Sequence, residues 1–191
     1  MNYALTSFDY SPLPDSDITR HIGPPLEQTI GILTESTDVN HIDAVTARYR
    51  ERYAELGYRE AEVYPGITAM LEQLAQSNIR LGVCTSKLHS YAGKVLETFD
   101  LAQYFEFMSG AANKSMKSEQ LGKLLSDGTI DAQAIMIGDR SVDLTAAHSN
   151  GLQSAGVLWG YGDLTELSGE NPKHVFESPA ELANTLSVSQ F

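Results

Sequence analysis

The chain contains very little cysteine. Its 191 residues include a single one, Cys84, so no disulfide can form within the chain. This composition fits a reducing compartment, and we expect the protein to be cytoplasmic. Cys84 ends an apolar run that begins at Ile79, a setting that favours a small buried residue over a nucleophile.

The chain also has few basic residues and no long apolar run. No apolar segment approaches the roughly 18–20 residues of a membrane span, and residues 1–10 lack the pattern of a signal peptide. Lys and Arg total 13 against 25 Asp and Glu, for a net charge of −12. Because such a surface repels phosphate backbones, we expect neither a nucleic-acid partner nor a membrane. A small phosphorylated ligand needs only a local pocket, so this net charge does not exclude one. The composition is also compatible with an oligomer.

The pattern of the chain changes near residue 62. Residues 1–62 are patterned as helices, the longest starting at Asn40 or Asp43 and stopping near Gly57. From 63 to 191, predicted strands alternate with predicted helices. The strands are 79–84, 105–109, 134–138, 153–158 and 174–176, and the helices are 66–77, 89–99, 117–126, 141–150 and 179–186.

Alternating, continuously apolar strands predict a parallel sheet that is covered by helices on both faces. We therefore predict an α/β fold with a Rossmann-like core over residues 63–191 and a small helical domain over residues 1–62. Ligands of such sheets bind outside the carboxyl ends of the strands, so the residues that follow each strand are the candidates for chemistry.

Two strand ends carry groups suited to binding an anion. Thr85, Ser86 and Lys87 follow strand 79–84, where a hydroxyl and free backbone N–H groups can hold a phosphate oxygen. The alternative is an ordinary helix N-cap. Lys117 opens helix 117–126, although the helix dipole disfavours a cation in the first turn. An anionic partner would explain that position, and an exposed lysine is the alternative.

The clearest signal follows strand 134–138. Gly138 permits a tight turn, and Asp139 and Asp143 lie one helical turn apart beyond it. Two carboxylates at one strand end can bind Mg²⁺, which prefers oxygen ligands. The alternative is that both acids stabilise the start of helix 141–150. Together with the two preceding features, the pair is typical of a site for phosphoryl transfer.

These residues resemble the motifs of the haloacid dehalogenase superfamily, most closely its phosphoglycolate-phosphatase-like members. Thr85, within Val-Cys-Thr-Ser-Lys, matches the second motif and Lys117 the third, while residues 138–143, Gly-Asp-Arg-Ser-Val-Asp, match the fourth. The segments Val-Tyr-Pro-Gly at 63–66 and Gly-Val-Leu-Trp-Gly-Tyr-Gly at 156–162 are similar to the same subgroup, so the resemblance covers nearly the whole chain.

The resemblance implies an Mg²⁺-dependent phosphomonoester hydrolase that acts on a small phosphorylated metabolite through an aspartyl-phosphate. It implies catalytic roles for Lys117 and Asp139, and it assigns the metal to Asp139 and Asp143. Thr85, Ser86 and Lys117 would hold the phosphoryl oxygens. Residues 1–62 would form the cap domain, whose Arg20 and His21 are weak candidates for contacting substrate. The alternative for both is a solvated helix end.

The first motif of the family, an apolar strand ending in Asp-x-Asp-Gly-Thr, is not found. Asp15-Ser16-Asp17 matches it in part, but Pro12 and Pro14 precede it, and prolines are excluded from a central strand. Phe8-Asp9-Tyr10-Ser11 is a second partial match, without the second aspartate and the glycine.

The resemblance instead places residues 3–8 in the first cap helix. On that basis we expect the first core strand, with its nucleophile, to be missing and the sheet to be interrupted. An alternative to an active hydrolase is then a catalytically inactive relative that binds a phosphorylated ligand or a protein partner. A third is a fragment without independent function.

Overall fold

The computed structural model describes residues 1–77, 79–112 and 115–188. Four helices and a 3-10 turn make up its N-terminal part. They are α1 (Asn2–Thr6), α2 (Asp15–Thr19), α3 (Leu26–Leu33), α4 (Val39–Glu55) and the turn Gly57–Arg59. Ala4, Leu5, Ile30 and Val45 are buried together at the centre of this group.

The long helix of this part, α4, starts earlier than the sequence pattern predicts. Asp38 is its N-cap, and the side chain of Asp38 accepts a hydrogen bond of 3.0 Å from the backbone N–H of Asn40. An aspartate is a strong N-cap residue, because its carboxylate satisfies a backbone donor that has no partner within the helix. The predicted start at Asn40 or Asp43 is therefore wrong by one residue or more.

The rest of the chain alternates between strands and helices. The strands are β1 (Gly82–Leu88), β2 (Phe107–Ala111), β3 (Ile135–Gly138), β4 (Gln153–Val157) and β5 (His174–Phe176). The helices are α5 (Ile67–Ala75), α6 (His89–Thr98), α7 (Lys117–Ser126), α8 (Ser141–His148), α9 (Leu164–Gly169) and α10 (Pro179–Val188). The predicted α/β fold is confirmed, although α9 was not predicted. Within the described residues, no helix has the length and apolarity to cross a membrane.

Two apolar clusters lie on opposite faces of the strands. Ile135 and Ile137 of β3 pack against the cluster that contains Leu74 of α5 and Leu182 of α10. Met136, between them, packs against the cluster that contains Leu121 of α7. Since successive side chains of a strand point to opposite faces, helices cover the strands on both sides.

The strands form two separate parallel sheets rather than one. β1 pairs with β2 in the first, and β3, β4 and β5 pair in that order in the second. Within the described part of the chain, β1 and β3 are therefore each hydrogen-bonded to another strand along one edge only. The sequence-based expectation of an interrupted sheet agrees with this arrangement.

Strand β1 differs from its predicted range of 79–84. It pairs with β2 from Gly82, and the register shifts between Thr85, opposite Gly110, and Leu88, opposite Ala111. Ser86 and Lys87 are thus extra residues on one strand, which is the definition of a bulge. Thr85 lies within the strand, at the bulge, and α6 follows directly.

Candidate functional site

A cavity of about 900 Å³ lies between the N-terminal helices and the carboxyl ends of β1 and β3. One end is polar and contains the strand-end residues singled out in the sequence. Those that line it are Thr85, Ser86, Lys87, Lys117, Asp139 and Asp143. Tyr49, Arg50 and Tyr53 of α4 also line the cavity. The fold therefore brings the predicted phosphate-binding and metal-binding residues to one cavity.

Lys117 and Asp143 form a buried ion pair in this cavity. The ammonium of Lys117 donates to Oδ1 of Asp143, and the two side chains are 12% and 5% exposed. The other carboxylate oxygen of Asp143 accepts from the backbone N–H of Arg140 at 3.2 Å, which caps α8. A side chain at Gly138 would collide with Asp143, so this position requires glycine. The pair fixes a cation and a carboxylate side by side.

Asp139 is held by the loop that follows β4. Its Oδ2 accepts a hydrogen bond of 2.8 Å from the backbone N–H of Tyr161, and its carbonyl accepts one of 2.9 Å from Gly162. Any side chain at Gly160 would collide with the Asp139 carboxylate. This loop therefore orients Asp139 toward the cavity, and its two glycines allow the close approach.

Helix α7 connects the two separate sheets at the site, and Gln120 provides its contacts with the first of them. Gln120 lies one helical turn after Lys117 on α7, and its amide nitrogen donates to the carbonyl of Thr85 at 3.2 Å. Its amide oxygen accepts from the hydroxyl of Ser109 on β2 at 2.9 Å. One helix thus reaches both β1, through Gln120, and the segment after β3, through Lys117 and Asp143. The carboxyl ends of these two strands must consequently lie at the same end of the cavity.

The bulge of β1 places hydroxyl and backbone groups on the cavity wall. The Thr85 hydroxyl accepts from the backbone N–H of Lys87 at 3.2 Å, and Ser86 lines the cavity beside it. Bulges commonly redirect side chains next to functional sites. Here the bulge replaces the strand-to-helix turn that the sequence pattern predicted, and the same residues still face the cavity.

Lys87 links the bulge to the N-terminal helices. Its ammonium donates to the hydroxyl of Tyr53 at 2.8 Å and lies 4.4 Å from the centre of that ring. Burial lowers the pKa of Lys87 and raises that of Tyr53, because each charged form would lose hydration. Tyr91 adds a tilted ring contact to Tyr53 at 5.3 Å. This aromatic group encloses one side of the cavity and brings a second cation to it.

Arg140 fastens the N-terminal helices to the α/β part. Its guanidinium donates to the carbonyls of Ile22 and Arg20 and, at 2.9 Å, to the carboxylate of Glu166 on α9. Glu166 also accepts from the backbone and the hydroxyl of Ser141. Burial alone would raise the pKa of Glu166, but the hydrogen bonds from Ser141 and Arg140 outweigh it and hold that pKa below its usual range.

The carboxylates at the cavity offer a small set of metal ligands. Glu27, Asp139 and Asp143 line it, and Glu27 is occupied by an ion pair of 2.8 Å with Arg50. Among the described residues, no group of three or more His, Cys, Asp or Glu side chains could hold a metal ion. Mg²⁺ is usually bound through one or two carboxylates and otherwise by water and phosphate oxygens. Asp139 and Asp143 fit that requirement.

Several other candidates from the sequence do not line this cavity. Arg20 and His21 are not among its lining residues, and the Arg20 side chain is 61% exposed and paired with Asp17. His21 is partly buried, and a role of either residue in contacting substrate stays a prediction. The partial first-motif match at Asp15-Ser16-Asp17 lies at the start of the short helix α2, and these three residues do not line the cavity.

Cys84 lies in β1 and packs against the α7 side of the strands. Burial raises its pKa to about 11, while nearby Lys117 lowers it by a smaller amount. A thiol with such a pKa stays protonated at neutral pH and is a poor nucleophile. The structure thus supports a packing role for Cys84.

Sequence reasoning missed four residues of this site: Lys87 as a cavity cation, Gln120, Arg140 and Glu166. Gln120 had a usable signal, because it lies at i+3 from Lys117 and so on the same helix face. Arg140 and Glu166 had no such signal in the sequence, because their contacts form only in the folded chain. Arg140 contacts the carbonyls of residues 20 and 22, and Glu166 contacts Arg140 and Ser141.

The chain matches a known family over most of its length. The model of the haloacid dehalogenase-like hydrolases matches residues 1–157. The tyrosine-protein kinase PtkA of Mycobacterium tuberculosis is 33% identical over 80% of this chain and 53% of its own length. The chain thus spans about half the length of the PtkA proteins that it matches.

Two phosphatase relatives are covered more fully. A 5′-nucleotidase of Pseudomonas aeruginosa is 33% identical, over 91% of this chain and 80% of the relative. A phosphoglycolate phosphatase of Vibrio parahaemolyticus is 27% identical, over 97% of this chain and 86% of the relative. Among solved structures, a predicted phosphatase from Clostridium acetobutylicum superposes with a TM-score of 0.91 at 31% identity, covering 97% of this chain and 87% of that one. These matches confirm the resemblance inferred from the motifs.

Proposed function

The chain belongs to the haloacid dehalogenase-like hydrolases, and from this membership we propose that it forms the phosphate and metal site of an Mg²⁺-dependent phosphomonoesterase for small phosphorylated metabolites. The observation that carries the proposal is the buried Lys117–Asp143 pair beside Asp139, at the polar end of one cavity. Phosphoryl transfer relies mainly on such fixed charges, which neutralise and orient the phosphoryl group.

Each residue of the site would have a role that follows from its charge or its hydrogen-bonding group. Lys117 holds a phosphoryl oxygen, and the hydroxyls of Thr85 and Ser86 donate to the others. Asp143 keeps the ammonium of Lys117 in place, since both are buried and hydrogen-bonded to each other. The tyrosines of α4 exclude water from the other side of the phosphate, and Lys87 adds a positive charge there.

Mg²⁺ would be held by Asp139, with Asp143 supporting it directly or through a water molecule. The ion supplies charge neutralisation for the phosphoryl group when bound. Asp139 suits this role because, among the described residues, the hydrogen bond to its carboxylate comes from Tyr161 and engages Oδ2, so Oδ1 can face the ion. The loop after β4 keeps the carboxylate oriented, as hydrogen-bonded partners of metal ligands commonly do.

None of the roles above includes the attack on phosphorus. The family mechanism uses an aspartate of the first motif, and the carboxylates among the described lining residues are Glu27, Asp139 and Asp143. Glu27 is paired with Arg50 and the other two are assigned to the metal. The second candidate function is therefore a catalytically inactive relative that binds a phosphorylated ligand or a protein partner without turnover.

Residues 1–62 would act as the cap that selects the substrate, with the core at 63–191. Their apolar cluster is separate from those of the strands, and the tyrosines of α4 face the cavity. A cavity of this size suits a small metabolite rather than a macromolecule. We place the activity in the cytoplasm, in keeping with the single cysteine.

Hydrolysis of p-nitrophenyl phosphate by the purified 191-residue protein tests the proposal. The proposed site predicts that any turnover needs Mg²⁺ and is abolished by Asp139→Asn. The matched control is Asp131→Asn, because Asp131 is an exposed aspartate that caps a turn away from the cavity. Its activity should equal that of the wild type.

Two other results would change the conclusion. Phosphate that binds in the presence of Mg²⁺ without any turnover would favour the second candidate, a binding protein. Turnover that survives in Asp139→Asn and does not need Mg²⁺ would contradict the proposed site altogether.

A further inference from the structure

Arg140 joins the start of α8 to the N-terminal part of the chain and to α9. Its guanidinium donates to the carbonyl of Ile22, to that of Arg20 at 3.1 Å and to the carboxylate of Glu166 at 2.9 Å. The side chain is only 15% exposed, so these bonds are partly shielded from water. Because a guanidinium presents its donors as a rigid planar fork, this one side chain can hold three acceptors at fixed positions.

The two carbonyls belong to residues 20–25, the segment that joins α2 to α3, which we call the strap. The residue four positions after Arg20 is Pro24, which has no N–H group to donate to the Arg20 carbonyl along the chain. Arg140 provides that hydrogen bond instead. The strap is therefore attached to α8 through its backbone, and this attachment does not depend on the side chains of the strap.

Gly23 lies directly against Arg140. A Cβ at Gly23 would lie 3.1 Å from Cγ of Arg140 and 3.6 Å from Cγ2 of Val142. The φ of Gly23 is +130°, a value that residues with a side chain rarely adopt. Glycine thus allows the strap to rest on the first turn of α8.

The strap lies between two cavities at the polar end of the site. A second cavity of about 200 Å³ borders the large one. Gly23, Pro24 and Pro25 line both cavities, and so do Ser86 and Lys117. The shared wall therefore consists of the strap and of two residues that we assign to the phosphate. Movement of the strap would open the phosphate position to the second cavity.

The composition of the strap suits it to covering a phosphate rather than binding one. Pro24 and Pro25 have no backbone N–H group and no polar side chain, so neither can donate a hydrogen bond to an anion. Their rings can exclude water from the space beside Ser86 and Lys117. We therefore expect the strap to control access to the site more than affinity for the phosphate.

The contacts of α4 with the rest of the chain are separate from those of the strap. Tyr53 of α4 accepts from the ammonium of Lys87, and the carbonyl of Arg50 accepts from the hydroxyl of Tyr91 at 3.2 Å. Neither contact involves Arg140. The strap can consequently move while α4 keeps its place against the cavity.

We propose that Arg140 is a positioning residue that keeps the strap closed over the phosphate end of the cavity, and that phosphate enters and leaves when the strap opens. The inference rests on the proposed phosphate site at Thr85, Ser86 and Lys117. Glu166 holds the guanidinium in place, because the same carboxylate also accepts from the backbone of Ser141 at 2.8 Å.

Hydrogen exchange of the full 191-residue protein without ligand is the first test. Arg140→Met removes the donors to the strap and should speed exchange of the amides of residues 21–23 by about tenfold or more, with α4 unchanged. Arg80→Met is the matched control, because Arg80 is also paired with a glutamate but is 61% exposed and does not line either cavity. Its exchange pattern at residues 21–23 should equal that of the wild type.

Gly23→Ala tests the same contact from the side of the strap. The added methyl group would meet Arg140 and requires an unfavourable φ, so the strap should open while Arg140 and Asp139 are unaltered. Exchange at residues 21–23 should again be faster. Gly169→Ala is the matched control, because a Cβ there meets nothing within 4 Å. If Arg140→Met fails to fold, this pair of variants still decides.

The kinetics of inorganic phosphate in the presence of Mg²⁺ are the second test, measured by phosphorus NMR. In both strap variants the association and dissociation rate constants should rise together by about fivefold or more, while Kd stays within about threefold of the wild type. A residue with a structural role alone would lower stability or affinity without speeding association.

Three outcomes would overturn the proposal. The first is unchanged exchange at residues 21–23 in both strap variants. The second is equally faster exchange in α4, which would mean that the N-terminal helices move as one unit. The third is a loss of phosphate affinity without faster association. If no variant binds phosphate, the proposed function fails, and the exchange comparison alone then supports or overturns the role of Arg140.

Discussion

The ammonium of Lys117 donates a hydrogen bond to the carboxylate of Asp143, and the two side chains are only 12% and 5% exposed. Breaking one member of a buried pair leaves the other charge unpaired in a poorly hydrated place. Lys117→Met should therefore destabilise the fold by about 3–5 kcal/mol, measured by urea denaturation. Lys123→Met, at an exposed position of the same helix, should change stability by less than about 0.5 kcal/mol.

The double variant Lys117→Met/Asp143→Leu separates pairing from packing. Removing both charges avoids the unpaired carboxylate, so this protein should be more stable than Lys117→Met alone. Equal stability of the single and double variants would show that the unpaired charge is not what destabilises the fold.

Glu166 should make stability depend on pH in the acid range. Hydrogen bonds from Ser141 and Arg140 hold its pKa below the usual 4.5. The ionised form is thus favoured by folding, so its contribution is present above about pH 4.5 and is lost as the pH falls through the lowered pKa. Glu166→Gln should lose less thermal stability than the wild type between about pH 5 and about pH 3.

The control for this prediction is Glu97→Gln, at an exposed position of α6. Its melting temperature should follow the wild-type curve over the same pH range. A Glu166→Gln curve parallel to that of the wild type would mean that Glu166 contributes nothing to the acid sensitivity.

Cys84 should be chemically inert at neutral pH. Burial raises its pKa to about 11, so its thiolate is scarce below that value. Iodoacetamide should modify it much more slowly than free cysteine at neutral pH, and Cys84→Ala should keep phosphatase or phosphate-binding activity. Rapid alkylation of the native protein at neutral pH, read by mass spectrometry, would be incompatible with a buried, protonated thiol.

Thr85 should affect phosphate binding through its hydroxyl. A hydrogen bond to a charged group contributes about 1.5–3 kcal/mol, so Thr85→Val should weaken phosphate binding by about tenfold or more. Thr85→Ser keeps the hydroxyl and should stay within about threefold of the wild type. Calorimetric titration with inorganic phosphate in the presence of Mg²⁺ distinguishes the two, and equal affinities of both variants would exclude a role for the hydroxyl.

The local parts of the fold were predictable from the sequence. Helix α7 has its predicted bounds, Lys117–Ser126, and β5 its predicted range, because apolar periodicity reports burial directly. Thr85, Lys117, Asp139 and Asp143 were predicted to meet because the ends of parallel strands share one edge. The cavity that they line together agrees with this argument.

The other features of the fold and of the site depend on contacts between residues that are far apart in the sequence. The bulge at Ser86 and Lys87 is set by pairing with β2, which no local pattern encodes. The attachment of Arg140 to the carbonyls of residues 20 and 22 spans more than a hundred residues. These features could not be predicted from local sequence patterns. The same holds for the contact of Lys87 with Tyr53, which joins two residues far apart in the sequence.

The most direct test of a phosphate and metal site at Asp139 is a titration of the purified protein with inorganic phosphate, with Mg²⁺ and with EDTA. The account predicts phosphate binding that requires Mg²⁺ and that Asp139→Asn weakens by about tenfold or more, while Asp131→Asn leaves it unchanged. The result does not depend on which residue attacks phosphorus. Equal phosphate affinity for the wild type and Asp139→Asn, or affinity that is unaffected by EDTA, would contradict the assignment.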